Sequence, residues 1–123
     1  MSAATQSTAS NALRHTGMMF LSRTKPEAGT AANGAFQLQL LLFDRLGPGV
    51  VEPWRVAWSG PAADDFWQQH QADLQPGAVL QVTLERARIH LMFSNPPRCE
   101  IHARVVTAEL APARLADRQA AHA

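Results

Sequence analysis

The fold is decided by the stretch Glu52-Pro-Trp-Arg-Val-Ala-Trp-Ser-Gly-Pro-Ala-Ala-Asp-Asp-Phe66. Its first part, Glu52 to Trp58, alternates in polarity, which predicts a strand with Trp54, Val56 and Trp58 on one face. A turn follows at residues 59–61, where Ser59 is the expected N-cap and Pro61 suits the first turn of a helix. The stretch therefore passes from a strand directly into a helix.

The predicted helix runs from Pro61 to Asp73 and is amphipathic. Its apolar positions recur at helical spacing and form one stripe, made of Ala63, Phe66, Trp67, His70 and Leu74. Asp64 and Asp65 favour the positive end of the helix dipole. Pro76-Gly77 ends the helix, so a short helix sits between two strands.

Four further strands are predicted around this stretch. They run from Gly17 to Arg23, from Phe36 to Phe43, from Ala78 to the hairpin tip at 94–97, and from Arg98 to Leu110. The segment from Thr24 to Gly34 is expected to be a loop, although Asn33-Gly34 is a hairpin signal.

The last two strands each change the face on which their apolar residues lie. Leu80, Val82 and Leu84 share one parity, whereas Ala87, Ile89 and Leu91 share the other, and a similar change follows Val105. A change of parity within a strand is what a β-bulge produces, and bulges bend sheets into small barrels. These strands favour a closed barrel over a flat sheet.

Length and composition fit one small domain. The chain has 123 residues, of which 46% are hydrophobic. We expect a disordered tail at 1–12, a folded domain at 13–110 and a flexible tail at 111–123. The N-terminus has neither a basic nor an apolar signal region, and Cys99 is the single cysteine, so a cytoplasmic location is expected.

The charge is nearly neutral overall but unevenly distributed. The formal net charge is +1, and ten of the eleven basic residues are arginine. Residues 59–85 contain four acidic and no basic groups, whereas 86–104 contain four arginines against Glu100. Because arginine binds phosphate bidentately and stacks on planar groups, one basic face suited to nucleic acid is predicted.

The element order and several motifs resemble the bacterial single-stranded DNA-binding protein family, including its primosomal replication protein N branch. The order β-β-β-α-β-β is that of the OB-fold, which commonly binds oligonucleotides. The residues that match the family's central segment are Glu52, Arg55, Val56, Gly60, Ala63 and Asp64. Further matches are Lys25-Pro26-Glu27, Asn33-Gly34, the strand led by Gly77, and the last strand from Cys99 to Leu110.

This resemblance implies an all-β fold, a five-stranded OB-fold Greek-key barrel with one short α-helix between strands 3 and 4. It also implies single-stranded DNA as ligand, no cofactor, and a homodimer or homotetramer. No run approaches the ~20 apolar residues that span a bilayer, and no catalytic motif occurs, so neither membrane association nor enzymatic activity is expected. The chain departs from the family at Pro53 and Ser59, where stacking aromatics are expected, and at Leu84, where a bulge-forming glycine is expected. It also lacks the family's acidic tail, which predicts an accessory role rather than general protection of the genome.

Nine residues are candidates for nucleic-acid contact. Arg55, Arg86, Arg88, Arg98 and Arg104 would hold phosphates, with Lys25 and His102 as further contacts, and Phe93 and Trp54 would stack bases. The alternative for the cations is that they are scattered and solvated, and for Trp54 and Trp58 that they pack the core or an interface. Cys99 and His102 have ligand-like spacing, but no second pair completes a metal site, so none is predicted.

Two functions follow. The first is largely sequence-independent binding of single-stranded DNA in replication, primosome assembly or mobile-element maintenance, with replication-restart proteins as further partners. The alternative is an OB-fold protein-interaction module whose tryptophan-rich surface mediates oligomer or partner assembly. An RNA-binding OB protein is a third, weaker possibility.

Overall fold

The computed structural model describes residues 13–111. It contains six strands and one helix, in the order β1 (Arg14–Leu21), β2 (Glu27–Thr30), β3 (Phe36–Gly47), β4 (Val50–Ser59), α1 (Pro61–His70), β5 (Val79–Met92) and β6 (Arg98–Leu110). A single 3-10 turn, Gln71–Asp73, continues α1. Both predicted tails lie outside the described residues, except for Ala111.

Five of the strands close into a ring. The neighbours around it are β1, β5, β6, β4 and β3, and β3 returns to β1 through Phe20 opposite Phe43 and Leu21 opposite Leu42. All pairs are antiparallel except β4 with β6, which is parallel. The five-stranded Greek-key barrel of the OB-fold, with its helix before the last two ring strands, is thus confirmed.

The sixth strand, β2, corrects the expectation of a loop from Thr24 to Gly34. Glu27–Thr30 pairs with β3 at the outer edge of the ring, with Glu27 opposite Gln39 and Thr30 opposite Phe36. The turn between them lies at the predicted Asn33-Gly34, where Asn33 Oδ1 accepts from the Ala35 N–H and Gly34 has φ +88°. The loop composition concealed the strand because a four-residue edge strand carries no apolar face.

The core lies inside the ring and follows the predicted alternation. Leu38, Leu40 and Leu42 of β3 are all but inaccessible, as are Val56, Leu80, Val82 and Leu84. At one end α1 closes the barrel, because Phe66 packs on Trp58 with ring centroids 5.3 Å apart. The helix thus covers one end of the barrel and not its outer wall.

The start of α1 differs from the prediction. Ser59 is the last residue of β4, and the N-cap is Gly60, at φ +104°. Its N–H donates to the Phe36 carbonyl at 3.0 Å, and its carbonyl accepts from Asp64 N–H at 3.1 Å. Backbone bonds therefore fix the turn, and no side-chain cap forms. Within 13–111, no helix is both long and apolar enough to span a membrane.

Candidate nucleic-acid interface

The outer face of the barrel carries a cross-strand row of polar side chains. Arg55 of β4 is in register with His102 of β6, and His102 is in register with Arg88 of β5. On β4 the side chains that alternate with these outward positions, Trp54, Val56 and Trp58, are buried in the core. The parity of the strand therefore turns Arg55 outward, as predicted.

Two bulges in the β5–β6 pair produce the predicted changes of face. The register shifts once between Thr83 and Leu84, which leaves Val106 without a partner, and again between Glu85 and Arg88. Within the second bulge Arg86 adopts φ +56°, a conformation that glycine usually supplies. Both parity changes were visible in the sequence, whereas the left-handed backbone at an arginine was not.

The second bulge and its neighbours enclose an open groove of about 760 Å³. Its wall on β4 includes Arg55 and Ala57, and its wall on β5 and β6 carries the remaining cations. The residues that line it are Gln39, Arg55, Val56, Ala57, Arg86, Ala87, Arg88, His102, Ala103 and Arg104. Five of the nine predicted contacts, Arg55, Arg86, Arg88, Arg104 and His102, are therefore brought together by the fold.

Glu100 organises one side of this groove. Its two carboxylate oxygens accept from Arg55, Oε1 from Nε at 3.1 Å and Oε2 from Nη2 at 3.3 Å, and His102 Nε2 lies 3.1 Å from Oε1. The hydrogen bond from Arg55 is the largest cause that lowers the pKa of Glu100, and His102 adds to it against the opposing effect of burial. Glu100 is therefore ionised and fixes both partners.

Three of the groove arginines have no carboxylate partner. Within residues 13–111, the ion pairs shorter than 4.0 Å are those of Arg55, His70 and His102, so Arg86, Arg88 and Arg104 form none. All three are exposed, and the register partner of Arg104 is Glu85. The groove thus carries four guanidinium groups, one of them compensated by Glu100.

Arg98 and Phe93 lie away from the groove, at the far end of the β5–β6 hairpin, beyond the residues of β5 that pair with β1. We call this part of the hairpin the arm: residues 88–92 of β5 paired with 98–102 of β6, and the turn 93–97 between them. Phe93 is 92% exposed. These two candidates can contact a ligand only if it continues from the groove along the arm.

Lys25 lies elsewhere. It borders a separate cavity of about 280 Å³ between the segment 21–26 and the end of α1, together with Trp67 and Leu74. None of the residues around that cavity also lines the groove. The fold therefore does not bring Lys25 together with the arginines.

Trp54 requires a correction. Its side chain is 8% exposed and belongs to the core, its Nε1 donates to Glu52 Oε1 at 3.0 Å, and the His15 ring packs against it at a centroid distance of 5.5 Å. An indole enclosed in this way has no open face on which a base could stack. Trp58 is 7% exposed, so the tryptophan-rich surface of the alternative function does not form in the described fold.

Sequence reasoning missed His90 and Glu100 as parts of the site. The His90 ring stacks on that of His102 with centroids 4.3 Å apart and planes 23° from parallel. The sequence indicated Glu100 only as the one negative charge among the four arginines of residues 86–104. The two-residue alternation of 100, 102 and 104 along β6 was the signal that could have placed Glu100 beside His102.

Comparisons by sequence return nothing: no family profile matches the chain, and no curated protein matches it. Solved structures do match. The small single-stranded DNA-binding protein from Streptomyces coelicolor superimposes with a TM-score of 0.56 at 15% identity, covering 85% of this chain and 98% of its own. The mitochondrial single-stranded DNA-binding protein Rim1 from S. cerevisiae gives 0.57 at 11% identity, covering 81% of this chain and 96% of its own, and a second crystal form gives the same score. The chain shares their fold.

Proposed function

We propose that this protein binds single-stranded DNA along the groove between β4 and the β5–β6 bulge, without catalysing a reaction. The observation that carries the proposal is the convergence of four arginines in one open groove on an OB-fold barrel. Cations along a groove track a phosphate backbone, and OB-folds with such grooves bind single strands. The solved structures of similar fold are single-stranded DNA-binding proteins, which supports the same ligand.

The test is a salt titration of binding to a labelled dT oligomer. Each phosphate contact of a single strand contributes about −0.7 to the slope of log K against log salt, so the three unpaired arginines predict a slope of about −2. Binding by micromolar protein at low salt is expected. If no binding occurs under these conditions, the proposal is wrong.

A pair of double variants locates the site. Arg86→Ala with Arg88→Ala removes two charges from the groove, and Arg23→Ala with Lys25→Ala removes two charges beside the other cavity. We expect the first pair to lower affinity strongly and to flatten the salt slope, and the second to have a much smaller effect. Equal losses in both would overturn the assignment of the groove and restore Lys25 as a contact.

A cellular role in replication, primosome assembly or mobile-element maintenance belongs to the same proposal and rests on the sequence resemblance described above. So does a homodimer or homotetramer, which light scattering would measure. Comparison of dT with U oligomers separates a DNA-binding from an RNA-binding protein. A cytoplasmic location fits these roles.

One observation favours a protein-interaction function as the second candidate. The arm exposes three apolar side chains of alternating position, Ile89 at 77%, Leu91 at 47% and Phe93 at 92%. Exposed apolar patches mark contact surfaces. Under this alternative, Ile89→Ser with Phe93→Ser disrupts an assembly seen by light scattering and leaves oligonucleotide binding intact. Under single-stranded DNA binding by the groove, Arg86→Ala with Arg88→Ala does the reverse.

A further inference from the structure

The groove lacks the aromatic side chains that usually receive bases. The outward positions of β4 are Pro53, Arg55, Ala57 and Ser59, and both tryptophans of this strand are buried. Proteins that bind single strands without sequence preference combine cations with flat surfaces on which bases stack. The flat groups that line the groove are the imidazole of His102 and four guanidinium groups, among them that of Arg55, and the His90 imidazole stacks on His102.

The two imidazoles form an ordered pair. Their centroids are 4.3 Å apart and their planes differ by 23°, which is a stacked arrangement. The Glu100 carboxylate lies 3.1 Å from His102 Nε2 and limits the rotation of that ring. His90 is exposed although its ring stacks on His102, so the ring is accessible to a ligand.

The same carboxylate fixes the orientation of the Arg55 guanidinium. Two of its nitrogens, Nε and Nη2, donate to Glu100 in a bidentate pair, and its side chain remains 34% exposed. The charge of this guanidinium is compensated and two of its five N–H donors are occupied, so it is a weaker phosphate ligand than the unpaired arginines. Its planar face is still available, and guanidinium planes stack on unpaired bases.

We propose that Arg55, His102 and His90 form the base-stacking platform of the groove, with Glu100 as the positioning residue that orients the first two. Arg86, Arg88 and Arg104 then hold phosphates beside it. The ligand of the platform is an unpaired nucleobase. This inference rests on the proposed function and specifies how the same groove divides its contacts between bases and backbone.

The test compares two oligomers of equal length, dT and a strand of abasic tetrahydrofuran nucleotides, which has the phosphates without the bases. The wild-type protein is expected to prefer dT. His90→Ala and His102→Ala should each lower dT affinity about 5- to 10-fold, in the range of one lost stacking contact, with less than a twofold change for the abasic strand. Arg88→Ala is the matched control, which should weaken both oligomers equally and reduce the salt slope by about 0.7.

Two further variants separate stacking from charge and from folding. His102→Phe keeps a flat ring and should retain the dT preference that His102→Ala loses. Glu100→Gln removes a negative charge from the groove and releases Arg55, so affinity for the abasic strand should rise while the ratio of dT to abasic affinity falls. A purely electrostatic role for Glu100 would raise both affinities equally and keep the ratio.

The outcomes distinguish this inference from the proposed function. If the wild-type protein binds neither oligomer, single-stranded DNA binding itself fails. If it binds both equally, or if the histidine variants weaken both equally, the groove binds the backbone alone and the stacking platform is overturned.

Discussion

At the scale of single residues, Arg86 is under the clearest conflict between backbone and side chain. Its φ of +56° lies in the left-handed region, where a residue with a Cβ is strained by about 1 kcal/mol or more. The bulge fixes this conformation, and the position of the guanidinium in the groove gives a reason for it. The backbone conformation of Arg86 thus lowers the stability of the fold, while its side chain is in place for the proposed contact with phosphate.

We therefore expect Arg86→Gly to raise the free energy of unfolding by about 1 kcal/mol and to lower affinity for single-stranded DNA. Denaturant unfolding and oligomer binding measure the two effects. Arg88→Gly is the control, because Arg88 lies in regular strand pairing, where glycine destabilises. A loss of stability in both variants would contradict strain at Arg86.

Residue parity was the most reliable guide in the sequence. It placed Arg55 outward and placed Trp54, Val56 and Trp58 on the other face, which is the core. It left open whether the tryptophans pack inside or meet a ligand, because alternation gives the face and not what covers it. The choice depends on the closure of the barrel, which brings α1 and Phe66 onto Trp58.

At the scale of elements, β5 is divided between barrel and arm. From Leu80 to Leu84 buried residues alternate with half-buried ones, whereas all residues from Arg86 to Leu91 are exposed. The sequence shows apolar alternation in both halves. It did not reveal that the second half has no pairing with β1 and is exposed, since the pattern of Ile89 and Leu91 resembles that of core residues.

Truncation to alanine is therefore expected to change stability by different amounts in the two parts of β5. Leu84→Ala should cost about 2–5 kcal/mol of stability, because the side chain is 1% exposed in the core. Ile89→Ala should change stability by less than about 0.5 kcal/mol, as an exposed position. Thermal or denaturant unfolding checks both values, and a large loss at Ile89 would show that the arm is packed against something in solution.

The ion pair of Arg55 and Glu100, which links β4 and β6, is expected to make stability depend on pH. Because Arg55 and His102 lower the pKa of Glu100 in the folded protein, its contribution to stability is present above the ordinary value of 4.5. It is lost as the pH falls through the lowered folded pKa. Glu100→Gln should therefore be less stable than the wild type near neutral pH, and the difference should disappear on acidification. Unfolding curves over this range measure it, and a pH-independent difference would contradict the ion pair.

At the scale of the whole molecule, the sequence predicted closure better than it predicted the binding surface. Two changes of parity on adjacent strands indicated a barrel, and both correspond to bulges in the β5–β6 pair. The groove could not be predicted, because its walls come from β3, β4, β5 and β6, whose registers are set by long-range pairing. Gln39 and Arg104 share it although they are far apart in the chain.

The position of β6 between β4 and β5 has a consequence for biosynthesis. The ring closes only when the last strand, Arg98–Leu110, inserts between β4 and β5, so a nascent chain that ends earlier leaves two strands with unpaired edges. On the ribosome the barrel can assemble only after almost the whole domain has emerged. A chain truncated after Pro97 should accumulate as aggregate rather than as a smaller folded barrel, which sedimentation of the expressed fragment would measure.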